Sequence, residues 1–302
     1  MKKKNLIVIA GPTGIGKTSI GIRLAKYFKS EILSADSRQI YKEMEIGTAR
    51  PDKTELSQVK HHLVGHVSIH EDYNVAKFEN EALPIIENSS DNIIFMVGGT
   101  GLFIDAVLYG LDEFPIVSEK TRMYVRSEFE KKGILWLQEQ IKSQDTTYYD
   151  FVDLNNPQRL MRALEICLTA GKPYSAFRKG IKKERNFNVI KILINESRAA
   201  LYEKINNRVM FMLEKGWLEE AKKLHPQRYL NALNTVGYKE LFEVIDKKLS
   251  LALAIEKIRR NTRRYAKRQI TWFNNGENYI CFDPYDVAGI ISYIENSLKN
   301  QK

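Results

Sequence analysis

Asn5-Leu6-Ile7-Val8-Ile9-Ala10 runs directly into Gly11-Pro12-Thr13-Gly14-Ile15-Gly16-Lys17-Thr18. From Leu6 the residues form a continuous apolar run of strand length, and the eight from Gly11 satisfy the phosphate-loop pattern G-x4-G-K-T in full. After them, Lys17, Ile20, Leu24 and Phe28 take up helical spacing. A strand, a glycine turn and a helix in that order let backbone N–H groups converge on phosphate oxygens at a helix N-terminus. Gly11, Pro12, Thr13, Gly14, Ile15 and Gly16 form the cradle. Lys17 supplies positive charge at the terminal phosphate, and the Thr18 hydroxyl is a ligand for Mg2+. The pattern specifies a phosphorylated ligand with Mg2+, but neither the ligand nor the reaction.

Working outward, short apolar runs alternate with helical patterns. Strands are expected at Glu31 to Ala35, Asn92 to Val97, Asn188 to Ile194 and Asn278 to Phe282. Helices are expected at 74–88, 100–108, 198–215, 217–224, 238–246 and 250–273, with a last one after Pro284. Such alternation predicts an α/β fold with a parallel sheet flanked by helices, like that of phosphate-loop nucleotidases. From about 118 to 186 only helical periodicity is visible, as in Tyr124/Val125/Phe129 and Leu160/Ala163/Leu164/Ile166. We therefore expect a catalytic core of 1–117 and 187–302 and an all-helical insertion of 118–186, hinged near Pro115 and Asn186.

A sheet of this kind gathers ligand groups at the carboxyl ends of its strands. Asp36 directly follows the second strand, and Thr100 follows Gly98-Gly99 at the end of the third. Each reads either as a site residue or as a turn or N-cap residue. The strand that would carry a second nucleotide motif ends in Gly98-Gly99-Thr100 and not in an acid, which weakens an ATPase reading.

The chain has 302 residues, 43% hydrophobic and 28% charged, so a sizeable core is expected. No apolar run approaches a membrane span. Leu6 to Ala10 behind the basic start is too short for a signal peptide and lacks a cleavage pattern. Cys167 and Cys281 are far apart, which fits the reducing cytoplasm and excludes a disulfide scaffold. His61, His62, His66 and His70 lack further ligands, and Gly65 and the strand-like alternation disfavour a helical metal site.

Net charge is +10, unevenly placed. Residues 157–185 carry +6, residues 256–268 another +6, and the remainder −2. On a helix, Arg259, Arg263 and Lys267 form one row, and Arg260, Arg264 and Arg268 the next. Arg159 and Arg162 also share a face. Two basic rows suit a phosphate backbone, and Ile258, Tyr265 and Trp272 are expected to pack inward.

The pieces GPTGIGKT (11–18), SADSRQIYKEMEIGTARP (34–51), VGGTGLFI (97–104), NPQRLMRALE (156–165), VGYKEL (236–241) and TRRYAKRQITWF (262–273) together resemble the bacterial tRNA dimethylallyltransferases. The likeness spans roughly 6 to 298. Phe103 and Asn274 stand where that pattern has Tyr and a basic residue. The zinc finger that ends eukaryotic relatives is not expected here.

The resemblance implies transfer of a dimethylallyl group from dimethylallyl diphosphate to the 6-amino group of the adenosine 3′ of a tRNA anticodon. In that reading the phosphate loop grips a prenyl diphosphate with Mg2+, and Asp36 orients the amine and takes its proton. Lys17, Thr18 and Thr100 would join Asp36 in catalysis. Asp36, Ser37, Arg38, Gln39 and the segment Gln158, Arg159, Leu160, Met161 and Arg162 would contact tRNA. Thr100 and Arg122 would flank the mouth through which the base passes. The insertion would grip the anticodon stem-loop, and the protein would act as a monomer. From the residues alone, a phosphate-loop kinase, a prenyltransferase of free adenine nucleotides and a non-enzymatic RNA-binding module remain alternatives; the +12 in two segments favours tRNA.

Overall fold

The computed structural model describes residues 3–276 and 278–300. It divides into two compact units, residues 1–108 with 184–302, and residues 109–183.

The larger unit is built on a parallel sheet. Its strands are β1 (Lys4–Ala10), β2 (Glu31–Ala35), β3 (His61–His62), β4 (Ile93–Gly98), β5 (Phe187–Ile194) and β6 (Ile280–Phe282), in the order β3-β2-β4-β1-β5-β6. β1 is central, pairing Ile7 with Phe95 of β4 and with Ile190 of β5. Leu6 through Ala10 are wholly inaccessible. A strand covered by helices on both faces has no polar side, which is why its sequence is an unbroken apolar run. Ile7, Ile9, Phe95, Ile192 and Ile194 pack with Ile20 and Leu24 of the helix Lys17–Phe28. A second cluster joins Met44, Trp217, Tyr238 and Ile258.

Two short elements were not anticipated. The strand His61–His62 and the helix Lys53–Gln58 are too brief to show a period. The helix has a clear local cause, a capping box between Asp52 and Glu55. The histidines take structural partners: His62 Nε2 lies 2.7 Å from Glu31, and His66 Nε2 lies 3.1 Å from Glu81. Among the described residues no group of three or more His, Cys, Asp or Glu could hold a metal.

The smaller unit is helical: Glu119–Gln144, Thr146–Tyr149, Pro157–Ala170 and a 3-10 turn Tyr174–Phe177. A non-helical Gly133 (φ 74°) breaks the first helix. Its edges fall at 108/109 and 183/184, not at 118 and 186. The causes are local. Phe114 stacks on Tyr174 with ring centroids 5.2 Å apart, and Lys183 N donates to Tyr109 O at 2.8 Å. Arg185, by contrast, bonds Glu79 at 2.5 Å and Ala106 O at 2.7 Å, within the larger unit.

Candidate active site

The order β2-β4-β1 brings three strand ends side by side, so the loops that follow them converge. From β1 comes the phosphate loop. Gly16 has φ 97° and ψ 18°, a left-handed conformation that glycine adopts without strain, and no side chain caps the helix that begins at Lys17. The first-turn N–H groups are therefore free for an anion. Ile15 is buried in the core and contributes its backbone.

Lys17 Nζ donates to Pro12 O at 2.8 Å. Burial pulls its pKa down from 10.5 to about 7, with Asp36 opposing the shift and Arg208 reinforcing it. An ammonium so poorly solvated next to a guanidinium is short of one thing, an anion. Arg208 itself donates to the Thr13 hydroxyl at 3.2 Å and is likewise lowered by burial, with Asp36 again opposing.

From β2 comes Asp36. Its Oδ1 accepts from Arg38 N at 2.9 Å and Gln39 N at 3.2 Å, so the residue does serve as the cap of its turn. Those two bonds use one oxygen. From β4 comes Thr100, whose Oγ1 accepts from Ser37 N at 3.0 Å and lies 3.3 Å from Ser37 Oγ. Thr100 thus ties the end of β4 to the turn after β2. Tyr265 lies on the long helix Leu251–Asn274; burial first and then Asp36 push its phenol up to about 12.

Two cavities open here. One, of about 210 Å3, is the phosphate-loop cleft, with Lys17, Thr18, Gln39 and Gln269 on its walls. The other, of about 400 Å3, has an apolar side of Ile205, Val209, Met212 and Trp217 and a polar side that includes Asn261, Tyr265 and Arg268. Thr13, Asp36 and Arg208 line both. Asp36 therefore stands where a phosphorylated group in one cavity meets a group in the other.

Three residues that sequence reasoning missed hold this arrangement. Gln269, 7% exposed, accepts from Thr13 N at 2.8 Å and donates to Gly99 O at 2.7 Å, clamping the phosphate loop to the end of β4. A Cβ on Gly99 would come within 2.4 Å of Gln269 Nε2, so the clamp requires glycine there. Glu220 accepts from Glu45 N, Ile46 N and Gly47 N at 2.8–2.9 Å and from the Tyr238 hydroxyl at 2.6 Å, which fixes the loop that carries Gly47 and Thr48 into the larger cavity. Arg208 is the third. Of these, Gln269 left one trace in the sequence, an uncharged polar residue on the inner face of a basic helix.

Arg38 donates to Asn231 O at 3.3 Å and Ala232 O at 3.0 Å, and Gln39 to Thr48 O at 3.2 Å and Ala49 O at 3.0 Å, so both brace loops beside the cavities. On the long helix, Arg260, Arg264 and Arg268 are exposed. In the other row Lys267 is exposed as well, whereas Arg259 pairs with Glu256 at 2.8 Å and Arg263 donates to Asn206 at 2.8 Å. Trp272 does not pack inward; it is 41% exposed and its indole N–H donates to Asp105 at 2.9 Å. The buried face runs instead through Ala254, Ile258, Ala266, Gln269 and Phe273.

Arg122, Gln158, Arg159 and Arg162 are exposed on the helical unit. Arg162 lies 3.7 Å from Glu165 and over the Phe114 ring. Met161 is partly buried against that unit's core. Leu160 is 0% exposed, which corrects the expectation that it contacts tRNA. It sits on the apolar stripe with Ala163 and Leu164 and anchors the helix that presents its charged neighbours.

The family model for IPP transferase matches residues 39–276. The chain is 47% identical to the tRNA dimethylallyltransferase of Flavobacterium johnsoniae, over 98% of this chain and 99% of the relative. It is 42% identical to tRNA dimethylallyltransferase 1 of Bacteroides fragilis, over 99% and 100%. A full-length tRNA isopentenylpyrophosphate transferase of Bacillus halodurans matches in structure with a TM-score of 0.72 at 34% identity, over 99% of this chain and 98% of that one. A eukaryotic dimethylallyltransferase solved acting on tRNA matches with a TM-score of 0.77 at 27% identity, over 94% and 75%. With a family model spanning most of its length and relatives aligned end to end, the chain belongs to the IPP transferase family.

Proposed function

We propose that this chain moves a dimethylallyl group from dimethylallyl diphosphate to the 6-amino group of the adenosine 3′ of the anticodon in tRNA, releasing diphosphate. One observation carries the assignment of the site: Asp36 is shared by the phosphate-loop cleft and the adjoining 400 Å3 cavity. The diphosphate fits the cleft of Lys17 and the loop amides, and the adenine fits the cavity. In the transfer, the adenine nitrogen forms a bond to the first prenyl carbon. The bond from that carbon to the diphosphate oxygen breaks, and its electron pair leaves with the diphosphate. The nitrogen's proton goes to the Asp36 carboxylate. An adenine amine is a weak nucleophile, so a carboxylate within reach both orients it and removes the charge that builds on it. Lys17 and Arg208 face the charge that develops on the leaving group.

Mg2+ suits the donors present. It keeps several waters and binds through one or two protein groups plus substrate phosphates. The Thr18 hydroxyl, on the cleft wall beside Lys17, would hold it with diphosphate oxygens. When bound, the ion would neutralise charge on the leaving diphosphate.

Exposed Arg260, Arg264 and Arg268 on the larger unit, and Arg122, Arg159 and Arg162 on the helical one, supply phosphate-backbone contacts for the anticodon stem-loop. The enzyme would act as a monomer, and the free Cys167 and Cys281 suit the cytoplasm. The test is mass spectrometry of tRNA incubated with the protein, Mg2+ and dimethylallyl diphosphate. Adenosine heavier by one dimethylallyl group, at the position 3′ of the anticodon, is the expected product. ATP turnover without tRNA, and no modified adenosine, would replace this reading with a kinase.

A further inference from the structure

Asn261 lies on the polar side of the 400 Å3 cavity, and it is held in one orientation. Its Nδ2 donates to Glu240 Oε1 at 2.7 Å. Glu240 is 6% exposed, and its other oxygen accepts from Gly237 N at 2.7 Å. An ionised carboxylate only accepts, so the amide must turn its NH2 toward Glu240 and cannot flip. That leaves the Asn261 carbonyl oxygen and one remaining N–H. The described residues include no partner for that oxygen.

Position along the helix says what faces them. Asn261, Tyr265 and Arg268 are spaced i, i+4 and i+7, all on the cavity wall. Tyr265 and Asp36 line that same cavity. Asn261 stands one turn away, about 5–6 Å along the axis. A flat base that places its amine at Asp36 therefore extends toward Asn261.

We propose that Asn261, locked by Glu240, is a specificity-determining residue that reads the target adenine. This rests on the prenyl-transfer reading of the site. The carbonyl oxygen accepts one amine hydrogen of the base, and the free N–H donates to the ring nitrogen beside it, N7 or N1. Asparagine pairs with adenine in this donor–acceptor pattern elsewhere. Guanine presents O6 in place of the amine, so the Asn261 oxygen would face another acceptor. An unrestrained amide could rotate to suit guanine. The Glu240 carboxylate forbids that rotation, and this is the reason for a buried acid behind the asparagine.

The test is a cycle of RNA and protein changes using short anticodon stem-loops that carry adenosine, 7-deazaadenosine or 1-deazaadenosine at the target position. Each keeps the reacting amine, so single-turnover kcat/KM with dimethylallyl diphosphate can be compared directly. In the wild-type protein, removal of the ring nitrogen that Asn261 contacts should cost about 3- to 10-fold, the value of one hydrogen bond. In Asn261→Ala the same removal should cost nothing further, while KM for the diphosphate stays unchanged. Coupling at either nitrogen supports the proposal and says which edge is read. Equal losses in wild type and variant at both nitrogens overturn it.

A second variant needs no loss of the amide. In Glu240→Gln the neighbour can donate as well as accept, so the lock is released. A stem-loop with guanosine at the target position should then compete about 3- to 10-fold better than against wild type. Unchanged competition overturns the locking argument. If wild-type protein prenylates none of the adenosine stem-loops, the functional reading itself has failed, a result distinct from either of these.

Discussion

Replacing Gln269 with Met removes both bonds of the clamp and keeps roughly its volume. Thr13 N and Gly99 O then lose partners at 2.8 and 2.7 Å. A buried polar group left unpaired costs about 1–3 kcal/mol. Thr13 N borders the cleft and can recover water, so it belongs at the low end, whereas the Gly99 carbonyl sits against a 7% exposed side chain and belongs higher. Together we expect a loss of about 2–4 kcal/mol, a fall in Tm of about 5–12 °C for a unit of this size. The loop that loses its tether must also be ordered by the ligand, so diphosphate should bind about 3- to 10-fold more weakly. Thermal melts by circular dichroism and calorimetric titration with pyrophosphate measure the two quantities. A variant that melts within about 1 °C of wild type and binds pyrophosphate equally would refute the clamp.

Asp36→Asn should lower the single-turnover rate by about 10² to 10⁴, because Asn can hydrogen-bond but not take a proton. Binding of both substrates and folding should be near normal, since Asn can still accept from Arg38 N and Gln39 N; a folded variant with the wild-type rate would falsify the catalytic role. With its pKa near 7, Lys17 loses its charge above neutrality in the free site, and bound diphosphate favours the charged form. Pyrophosphate affinity should therefore fall as pH rises from about 7 toward 10, with proton uptake on binding, and Lys17→Arg, charged throughout, should flatten that dependence; equal pH profiles for the two proteins would contradict the assignment. Neutralising Arg260 and Arg264 should reduce the slope of log affinity for tRNA against log salt by about one unit per phosphate contact, and Arg259 with Arg263, already paired, should change it less. Equal slopes for the two double variants would return both rows to a solvated surface.

The frame of the larger unit was legible because its information is local. β1 from Leu6 and β4 through Val97 are apolar throughout, since burial on both faces leaves no alternation to misread, and β2 begins and ends where expected. The phosphate loop declares itself by spacing. What stayed hidden depends on distant partners. Gln269 meets Thr13 across 256 residues and Arg208 meets the same threonine across 195, and neither side chain differs locally from its neighbours on a basic or amphipathic helix. Glu220 reads as one acid on a charged helix until Glu45, Ile46 and Gly47 turn three N–H groups toward it. Trp272 was misplaced for the opposite reason: spacing alone put it with Ile258, but the helix buries Gln269 and Phe273, and the indole lies against Gly101 at the surface.

Gln269 and Trp272 both belong to the helix Leu251–Asn274. It has three working faces. Arg260 and Arg264 face solvent, Asn261 and Tyr265 face the larger cavity, and Gln269 holds the phosphate loop. An α-helix is stiff over this length, so the offsets between the three faces are set by its geometry and not by loops. In the proposed function, RNA phosphates on one face would set how deeply a base on the second face reaches, while Gln269 holds the phosphate loop in place relative to the helix. Alkyl transfer demands reacting atoms about 3–3.5 Å apart, and a misplacement of 1 Å costs about 10²-fold. Carrying all three on one rigid element would meet that tolerance. Substitutions on its separate faces should therefore be separable by readout, affecting salt slope, base discrimination and diphosphate affinity in turn.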